Sequence, residues 1–246
     1  VTLDAAVTIT TNNTTNDGNI DFSGSTSTIN GGYALSLQAG SANITLGGTI
    51  GGTTALSSLD FDAANITVAN IGGASAGVTG STDLNATSQL TFTGTTYKAN
   101  QQTYTAASGN NFLVNGASLT TFTSSDDNIS FNTANILLAN GSDLTVTAAG
   151  GAITILAING NSSEDVTLSS TGGTTNTVTV GAIGTSVANG INTVAITGST
   201  SITLNGSITT SDATGNTVTL TGPVTLGANV TITTNNTTND GAVGIV

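Results

Sequence analysis

The chain of 246 residues contains no cysteine, methionine, tryptophan or histidine, and Lys98 is its only lysine or arginine. The missing histidine and cysteine exclude the usual ligands of zinc, haem and iron–sulfur clusters, and also histidine bases and cysteine nucleophiles. One cation against 13 acidic side chains gives a formal net charge of −12. Nucleic acid and anionic lipid both require a basic surface, so neither partner is expected.

Charged residues, aromatic residues and long apolar runs are also scarce. Charged side chains make up 6% of the chain and aromatic ones 4%, and Pro223 is the only proline. No stretch approaches the roughly 20 apolar residues of a membrane-spanning helix, so membrane insertion is not expected. Yet 37% of the residues are hydrophobic and they recur at regular positions, which favours a folded chain over a disordered acidic tail.

Aliphatic residues come in pairs with one polar residue between them, which is the period of a strand with one buried face. Leu35 with Leu37 and Ile44 with Leu46 are examples. Clusters of Gly and Asn separate the pairs and supply turns. No long segment has the 3.6-residue period of an amphipathic helix. The pattern therefore predicts an all-β protein.

The pairs recur within a larger unit of 20-odd residues that holds two pairs and a third apolar position. Three of these units begin at Leu144, Val166 and Val194, so the first of the two intervals is shorter than the second. A repeat of this length with three short strands is typical of a parallel β-solenoid coil. Stacked about 4.8 Å apart, such coils bury their aliphatic residues in columns. The sequence predicts a parallel β-helix of about ten coils.

An antiparallel sandwich also uses many short strands, but it usually has longer strands, two-residue hairpin turns and aromatic core residues. The uniformly aliphatic pairs favour the solenoid. Residues 94–125 fit the pattern least well, and we interpret them as a distorted coil or an inserted loop. Composition does not shift elsewhere, so residues 1–246 are predicted to form one continuous solenoid.

The segment VTITTNNTTNDG occurs at residues 7–18 and again, unchanged, at residues 230–241. Only two positions differ over the longer stretches 1–18 and 224–241. A match of this length is not expected by chance, even in a sequence of biased composition. We therefore predict that the chain contains a higher-order tandem repeat, with residues 1–223 forming one period and 224–246 opening the next.

The two copies are expected to take the same position in their coils. Four aliphatic side chains are then expected to point inward: Val7, Ile9, Val230 and Ile232.

Three coil sequences resemble a known family: NITLGGTIGG at 43–52, NITVANIGG at 65–73 and VTLTGPVTLGANVTITTNNTTNDG at 218–241. They look like coils of filamentous-haemagglutinin-like bacterial surface proteins, and more closely like the giant β-strand-repeat surface proteins of Gram-negative bacteria. The resemblance implies a right-handed parallel β-helix, export through an outer-membrane pore, and a role in adhesion, aggregation or a surface coat. The family's secretion-directing domain is absent here, so secretion is expected of a parent protein.

Enzymes that act on polysaccharides also use parallel β-helices, and glycoside hydrolysis needs two carboxyls at a defined separation in a cleft. The candidate acid pairs are Asp60 with Asp62, Asp126 with Asp127, and Glu164 with Asp165. The first pair flanks Phe61 and is expected to project outward, whereas the other two lie in turns. Without Arg or His to orient a sugar or shift a pKa, no catalysis is expected.

Acidic turns can instead hold calcium, because hard cations accept Asp, Asn and carbonyl oxygens. The weak candidate ligands are Asp17, Asp126 and Asp127, and Ca²⁺ is the only cofactor that the sequence leaves open. However, the calcium-binding nonapeptide repeat GGxGxDxUx does not occur, and Asn-Asp-Gly is first of all a turn signal. No metal site is therefore assigned.

Two surfaces remain as candidates for ligand binding. Outward threonines at T-x-T spacing would stack into rows like those of ice-binding β-helices, although uneven coil length argues against a flat array and Thr is common in strands anyway. A group of aromatic, amide and cationic side chains suits carbohydrate or protein recognition, unless it decorates a loop without a ligand. This group comprises Tyr97, Lys98, Gln101, Gln102 and Tyr104.

The sequence thus predicts a structural rod or filament segment of a large bacterial surface protein, such as an adhesin, fibre or coat, without catalysis. Its expected location is extracellular, at the bacterial surface, secreted or associated with the outer membrane. The expected partners are neighbouring repeats or subunits end to end, and host or biofilm glycans or proteins. The alternatives are a solenoid that binds glycan or ice through a Thr-rich face, and a polysaccharide-acting β-helix enzyme.

Overall fold

The computed structural model describes residues 1–13, 15–74, 77–116, 118–139, 141–161, 164–186, 190–234 and 237–246. Over these ranges the chain forms strands and turns, without a helix. The 22 strands are β1 (Val7–Thr10), β2 (Ile20–Phe22), β3 (Ala34–Gln38), β4 (Asn43–Leu46), β5 (Ser58–Val68), β6 (Val78–Phe92), β7 (Thr96–Thr105), β8 (Asn111–Val114), β9 (Thr120–Ser124), β10 (Ile129–Asn132), β11 (Asn135–Leu138), β12 (Leu144–Ala149), β13 (Ile153–Asn159), β14 (Asp165–Thr171), β15 (Thr177–Ile183), β16 (Thr193–Gly198), β17 (Ser201–Leu204), β18 (Ile208–Thr209), β19 (Thr217–Thr221), β20 (Val224–Leu226), β21 (Ile232–Thr233) and β22 (Ala242–Ile245).

All pairings among these strands are parallel, and each joins a strand to the equivalent strand of the neighbouring coil. Parallel neighbours need a long connection between them, which here is the rest of one coil. The chain therefore winds as a parallel β-solenoid of about nine turns. The predicted fold is confirmed, with close to the predicted number of coils.

Three stacks of strands surround the core, and we call them faces A, B and C. Face A contains β1, β3, β10, β17 and β20. Face B contains β2, β4, β8, β11, β18 and β21. Face C contains β9, β12, β14, β16, β19 and β22. The longer strands β5, β6, β7, β13 and β15 bend around a corner and belong to more than one face.

Inward side chains of successive coils lie in register and form columns. The column on face C comprises Ile29, Ile50, Ile71, Tyr97, Phe122, Val146, Leu168, Ile196, Leu220 and Ile245. Each interior member packs between the coil before it and the coil after it, and burying one aliphatic side chain contributes about 1.5–3 kcal/mol. The buried residues form one cluster that extends from Leu3 to Leu220.

Differences in coil length do not disturb these columns. The coil from Leu168 to Ile196 is longer than the coil from Val146 to Leu168, yet both pairs are direct neighbours on face C. The additional residues are divided between the β14–β15 and β15–β16 connections, outside the stacked strands. Loops tolerate such additions because closure entropy rises slowly with length.

The described residues of 94–125 form strands that stack in parallel on the neighbouring coils, so the expectation of an inserted loop is wrong. The pairing of β6 with β7 does shift its register between Val78 and Ser81, opposite Ala99 and Gln101. Aromatic side chains take the inward positions that aliphatic residues hold elsewhere, and they fill the interior by ring contacts. The rings of Tyr97 and Phe122 stack with centroids 4.6 Å apart, and Phe92 meets Tyr97 edge-on at 4.8 Å. The aromatic residues of this cluster are Phe92, Tyr97, Tyr104, Phe112, Phe122 and Phe131.

The repeated segment fulfils one expectation and contradicts another. Its four aliphatic side chains are partly buried and pack against the core in both copies, as predicted: Val7, Ile9, Val230 and Ile232. The two copies do not take the same position, however. The first copy lies on face A, where β1 pairs with β3, whereas the second lies on face B, where β21 pairs with β18.

Candidate functional site

Three of the five residues of the expected recognition patch are buried, so the structure does not bring the whole group together on one surface. Tyr97, Gln102 and Tyr104 are each 0% exposed, because they occupy the inward positions of β7. The Tyr97 hydroxyl donates to the Val68 carbonyl at 3.2 Å and accepts from the Gly94 amide at 2.8 Å. Burial raises the pKa of Tyr97 well above its ordinary value, so this hydroxyl stays protonated.

Gln102 is a buried polar residue, and its two ends are both hydrogen-bonded. Its Oε1 accepts from the Tyr104 hydroxyl at 2.8 Å, and its Nε2 donates to the Thr123 carbonyl at 2.7 Å. A buried amide is tolerated when its donors and acceptors are paired in this way. Gln102 and Tyr104 therefore stabilise the contact between two coils and are not available to a ligand.

Lys98 and Gln101 are the two members of the group that point outward. The Lys98 Nζ donates to the Gly73 carbonyl at 2.6 Å and to the Ala74 carbonyl at 3.1 Å. The single lysine thus ties β7 to the corner of the preceding coil. Inward residues alternate at Tyr97 and Ala99, and after a one-residue shift in phase they alternate again at Gln102 and Tyr104. The shift and the polar Gln102 both obscure this pattern in the sequence.

The three calcium candidates lie in different surroundings. Asp17 accepts hydrogen bonds from the Asn13 amide at 2.7 Å and from the Ser41 amide and hydroxyl, each at 2.6 Å. The Ser41 hydroxyl is the main reason why the pKa of Asp17 lies below its ordinary value. This carboxylate is a loop anchor between coils.

Asp126 and Asp127 occupy another corner, where Asp127 Oδ1 accepts from the Asn128 amide at 2.7 Å. The residues that the structure describes contain no group of three acidic, His or Cys side chains that could hold a metal ion.

Asp60 and Asp62 project outward from face A, as expected, and the structure adds a third carboxylate beside them. Asp83 is the neighbour of Asp60 on the next coil, and Asn85 lies beside Asp62 and donates to its Oδ1 at 3.0 Å. Burial, and then the charges of Asp60 and Asp62, raise the pKa of Asp83. Asp60 and Asp83 are separated by one coil length in the sequence, and this spacing is the signal that could reveal the neighbour. These carboxylates lie on the outside of a sheet, not across a cleft.

The pair Glu164 and Asp165 is divided between interior and surface. Glu164 is 0% exposed, and its Oε2 accepts from the Asn161 amide at 2.9 Å. Asp165 starts β14, and its Oδ1 accepts from the Thr193 amide of the next coil at 3.0 Å. Two carboxyls placed this way do not face a common substrate site.

Polar side chains at the corners connect one coil to the next. Asn70 Oδ1 accepts from the Thr95 amide at 2.8 Å, and Asn128 Oδ1 accepts from the Ala152 amide at 2.7 Å. Asp165 makes the same kind of contact, and in each case the acceptor lies one coil before the donor. These bonds satisfy corner amides that the strand ladders leave unpaired. Many Asn and Asp residues of the chain are therefore accounted for by stacking.

Outward threonines form two adjacent files on face C, which we call the threonine array. The first file comprises Thr121, Thr145, Thr167, Ala195 and Thr219, and the second Thr123, Thr147, Ser169, Thr197 and Thr221. Each member is the direct neighbour of the next in its file. The T-x-T segment TVTLT at 217–221 lies in this array at β19, and the T-x-T segment VTITT at 7–11 begins on face A at β1.

No protein-family model, no curated protein and no solved structure matches the chain. Across the described ranges, no helix has the length and apolar character needed to cross a membrane. The resemblance to bacterial surface proteins therefore rests on the coil sequences alone.

Proposed function

We propose that this chain is a structural rod segment of a large extracellular bacterial surface protein, such as an adhesin, fibre or coat, and that it carries out no catalysis. The observation that supports this most directly concerns the coil that follows β19. Residues 224–241 stack on the coil that contains β17, β18 and β19, and nearly the same sequence begins the chain at residues 1–18. The same segment thus opens the chain and also stacks on a later coil, one face further round, which suits an array of stacked coils.

The contacts between coils suit a rod that resists bending. Strand hydrogen bonds run along the rod axis on three faces, and each coil contacts only its neighbours. The corner bonds of Asn70, Asn128 and Asp165 have the same direction in every case. An added coil can therefore use the contacts that already exist. Exposed strand edges invite pairing, so an end-to-end neighbour is the expected partner.

The surface chemistry also favours a structural role over hydrolysis. Asp62 lies on the outside of face A, and Asp165 serves as a corner acceptor, so neither of these carboxylates faces a cleft. A net charge of −12 keeps such a rod soluble by repulsion between molecules.

The test is a protein in which residues 1–223 are followed by a second complete period. Nine added coils at about 4.8 Å each should lengthen the particle by about 43 Å at constant cross-section, as measured by small-angle scattering and electron microscopy. A control that joins the two periods through a flexible Gly/Ser linker should show two rods at varying angles. A compact particle, or one that does not lengthen, would contradict the rod.

The proposed surface location and the absence of catalysis are tested by separate measurements. An antibody raised against the chain should label intact cells of the host, and labelling only after lysis would contradict a surface location. Turnover of any polysaccharide by the purified chain would contradict the absence of catalysis.

A further inference from the structure

The threonine array is regular over five successive coils. Its two files run through β9, β12, β14, β16 and β19, and no register shift interrupts these pairings. Neighbouring coils are about 4.8 Å apart and alternate residues of a strand about 6.6 Å apart. The array is therefore a lattice of side chains with two nearly constant spacings, held by the rigid sheet beneath it.

The hydroxyls of this array are not used within the protein. In the parts of the chain that the structure describes, none of the eight threonines and the one serine makes a side-chain hydrogen bond. Their side chains are half-buried or exposed, and the outermost, Thr219 and Thr221, are exposed. Free hydroxyls at regular spacing can each hold a water molecule, and bonds through such waters are nearly as favourable as direct ones.

The corresponding outer positions of face A differ from this array. Thr154, Thr179 and Thr203 form one file there, but the adjacent file contains the exposed Leu156 and then Gly181. Further along face A lie the carboxylates around Asp83. A double file of hydroxyls is thus a property of face C, and face A provides a matched comparison.

Uneven coil length, which argued against a flat array in the sequence, does not affect face C. The long coil between Leu168 and Ile196 still brings Ser169 beside Thr197 in direct register. We propose that the threonine array binds ice, an uncharged lattice of water molecules, by ordering waters between its hydroxyls.

Charge and shape favour this occupant over others. All ten positions are uncharged although the chain carries a net charge of −12, which matches a neutral partner better than an ionic one. Sugar sites are usually concave with a few convergent polar groups, whereas the array is a repeat of one kind of group on the outside of a sheet. Protein interfaces are enriched in aromatic residues, Met and Arg, and the array has none of them.

The test measures enrichment of the purified chain in a slowly growing ice surface, together with inhibition of ice recrystallisation. Thr147→Tyr, at the centre of the second file, should reduce enrichment to the level of a non-binding protein. Thr179→Tyr places the same ring on face A and should leave enrichment unchanged. Circular dichroism and the unfolding midpoint establish that both variants fold. Ala195→Thr completes the first file and should increase enrichment.

Two results would overturn the proposal. The first is exclusion of the unmodified chain from ice, including the case in which it binds an insoluble polysaccharide through the same face. The second is equal behaviour of Thr147→Tyr and Thr179→Tyr. Neither result affects the rod, which is tested by particle length.

Discussion

The two copies of VTITTNNTTNDG share twelve residues but occupy different places in the solenoid. In the first copy, Ile9 pairs with Leu37 on face A. In the second copy, Ile232 pairs with Ile208 on face B. The two copies are thus displaced from each other by one face of the coil. Identical local sequence does not determine which face a strand joins.

The loop within each copy, in contrast, closes in the same way. The Gly18 amide donates to the Thr11 carbonyl at 3.2 Å, and the Gly241 amide donates to the Thr234 carbonyl at 2.8 Å. In both copies the threonine hydroxyl donates in return to the glycine carbonyl. These bonds join positions close together in the chain, so the segment itself encodes them.

The anchors that hold the two loops come from different parts of the chain. Asp17, within the first copy, bonds to Ser41 of the next coil. The second loop is instead held by Asp212 of the preceding coil, which accepts from the Asn239 amide at 2.8 Å and from the Thr237 hydroxyl at 2.6 Å. The neighbouring coil, and the chain length that leads to it, therefore set the face.

Because the two copies are displaced by one face of the coil, two engineered cysteine pairs should give opposite results. Neighbouring parallel strands bring in-register residues to about 4.8 Å, within the range of a disulfide, and the chain has no cysteine of its own. Thr203→Cys with Thr225→Cys, which are direct neighbours, should form a disulfide completely. Thr203→Cys with Thr231→Cys should not, because Thr231 would lie beside Thr203 only if the second copy had the register of the first. Thiol alkylation and mass spectrometry distinguish the two results.

The positive control is Thr8→Cys with Ser36→Cys, the corresponding neighbours of the first copy. Disulfide formation between positions 203 and 231, and not between 203 and 225, would show that both copies take the same face.

The residues beneath the two copies predict the largest loss of stability. Leu37 under the first copy and Ile208 under the second are both 0% exposed. Changing either to alanine should lower the free energy of unfolding by about 2–5 kcal/mol, as measured by denaturant titration. Because coils contact only their neighbours, Leu37→Ala should increase hydrogen exchange near the first copy, and Ile208→Ala near the second. Ser36→Ala, on the outside of β3, is the control, and loosening of both ends by either core change would argue against local coupling.

The core can be predicted because its signal lies within a few residues. Leu35 and Leu37 alternate with polar neighbours, and the structure buries both. The burial of Gln102 cannot be predicted in this way because it depends on partners elsewhere, including the Thr123 carbonyl of the next coil. Asp83 is an intermediate case, because its one-coil spacing from Asp60 is visible in the sequence but identifies a neighbour only when the coil register is known.

Lowering the pH should protonate Asp212 and weaken the hydrogen bonds that hold the second loop. Hydrogen bonds, chiefly from the Thr237 and then the Thr238 hydroxyl, lower the pKa of Asp212 to about 2 from an ordinary value of 3.8. The folded state therefore favours the carboxylate, and its contribution is complete above about pH 4 and lost as the pH falls towards 2. In the folded protein the amide resonance of Asn239, which bonds to this carboxylate, should shift with a midpoint near the Asp212 pKa of about 2.

Asp212→Asn should abolish the Asn239 titration, whereas Asp17→Asn should leave it intact and alter only the first loop. A titration of Asn239 that persists in Asp212→Asn would mean that another group holds the second loop.

The smallest effect concerns the hydroxyl that closes each loop. Thr11→Val and Thr234→Val keep the side-chain shape but remove one hydrogen bond, which should lower the free energy of unfolding by about 0.5–1.5 kcal/mol in each case. The two copies should differ in how readily the loop opens. Asn216 also donates to the Thr234 carbonyl at 3.5 Å, so the second loop should remain closed, whereas exchange of the Gly18 amide should increase. Thr8→Val, on the outside of β1, controls for loss of a hydroxyl alone. If Thr8→Val lowers the free energy of unfolding as much as Thr11→Val does, the closing bond is not what stabilises the loop. The shared loop geometry of the two copies then has another cause.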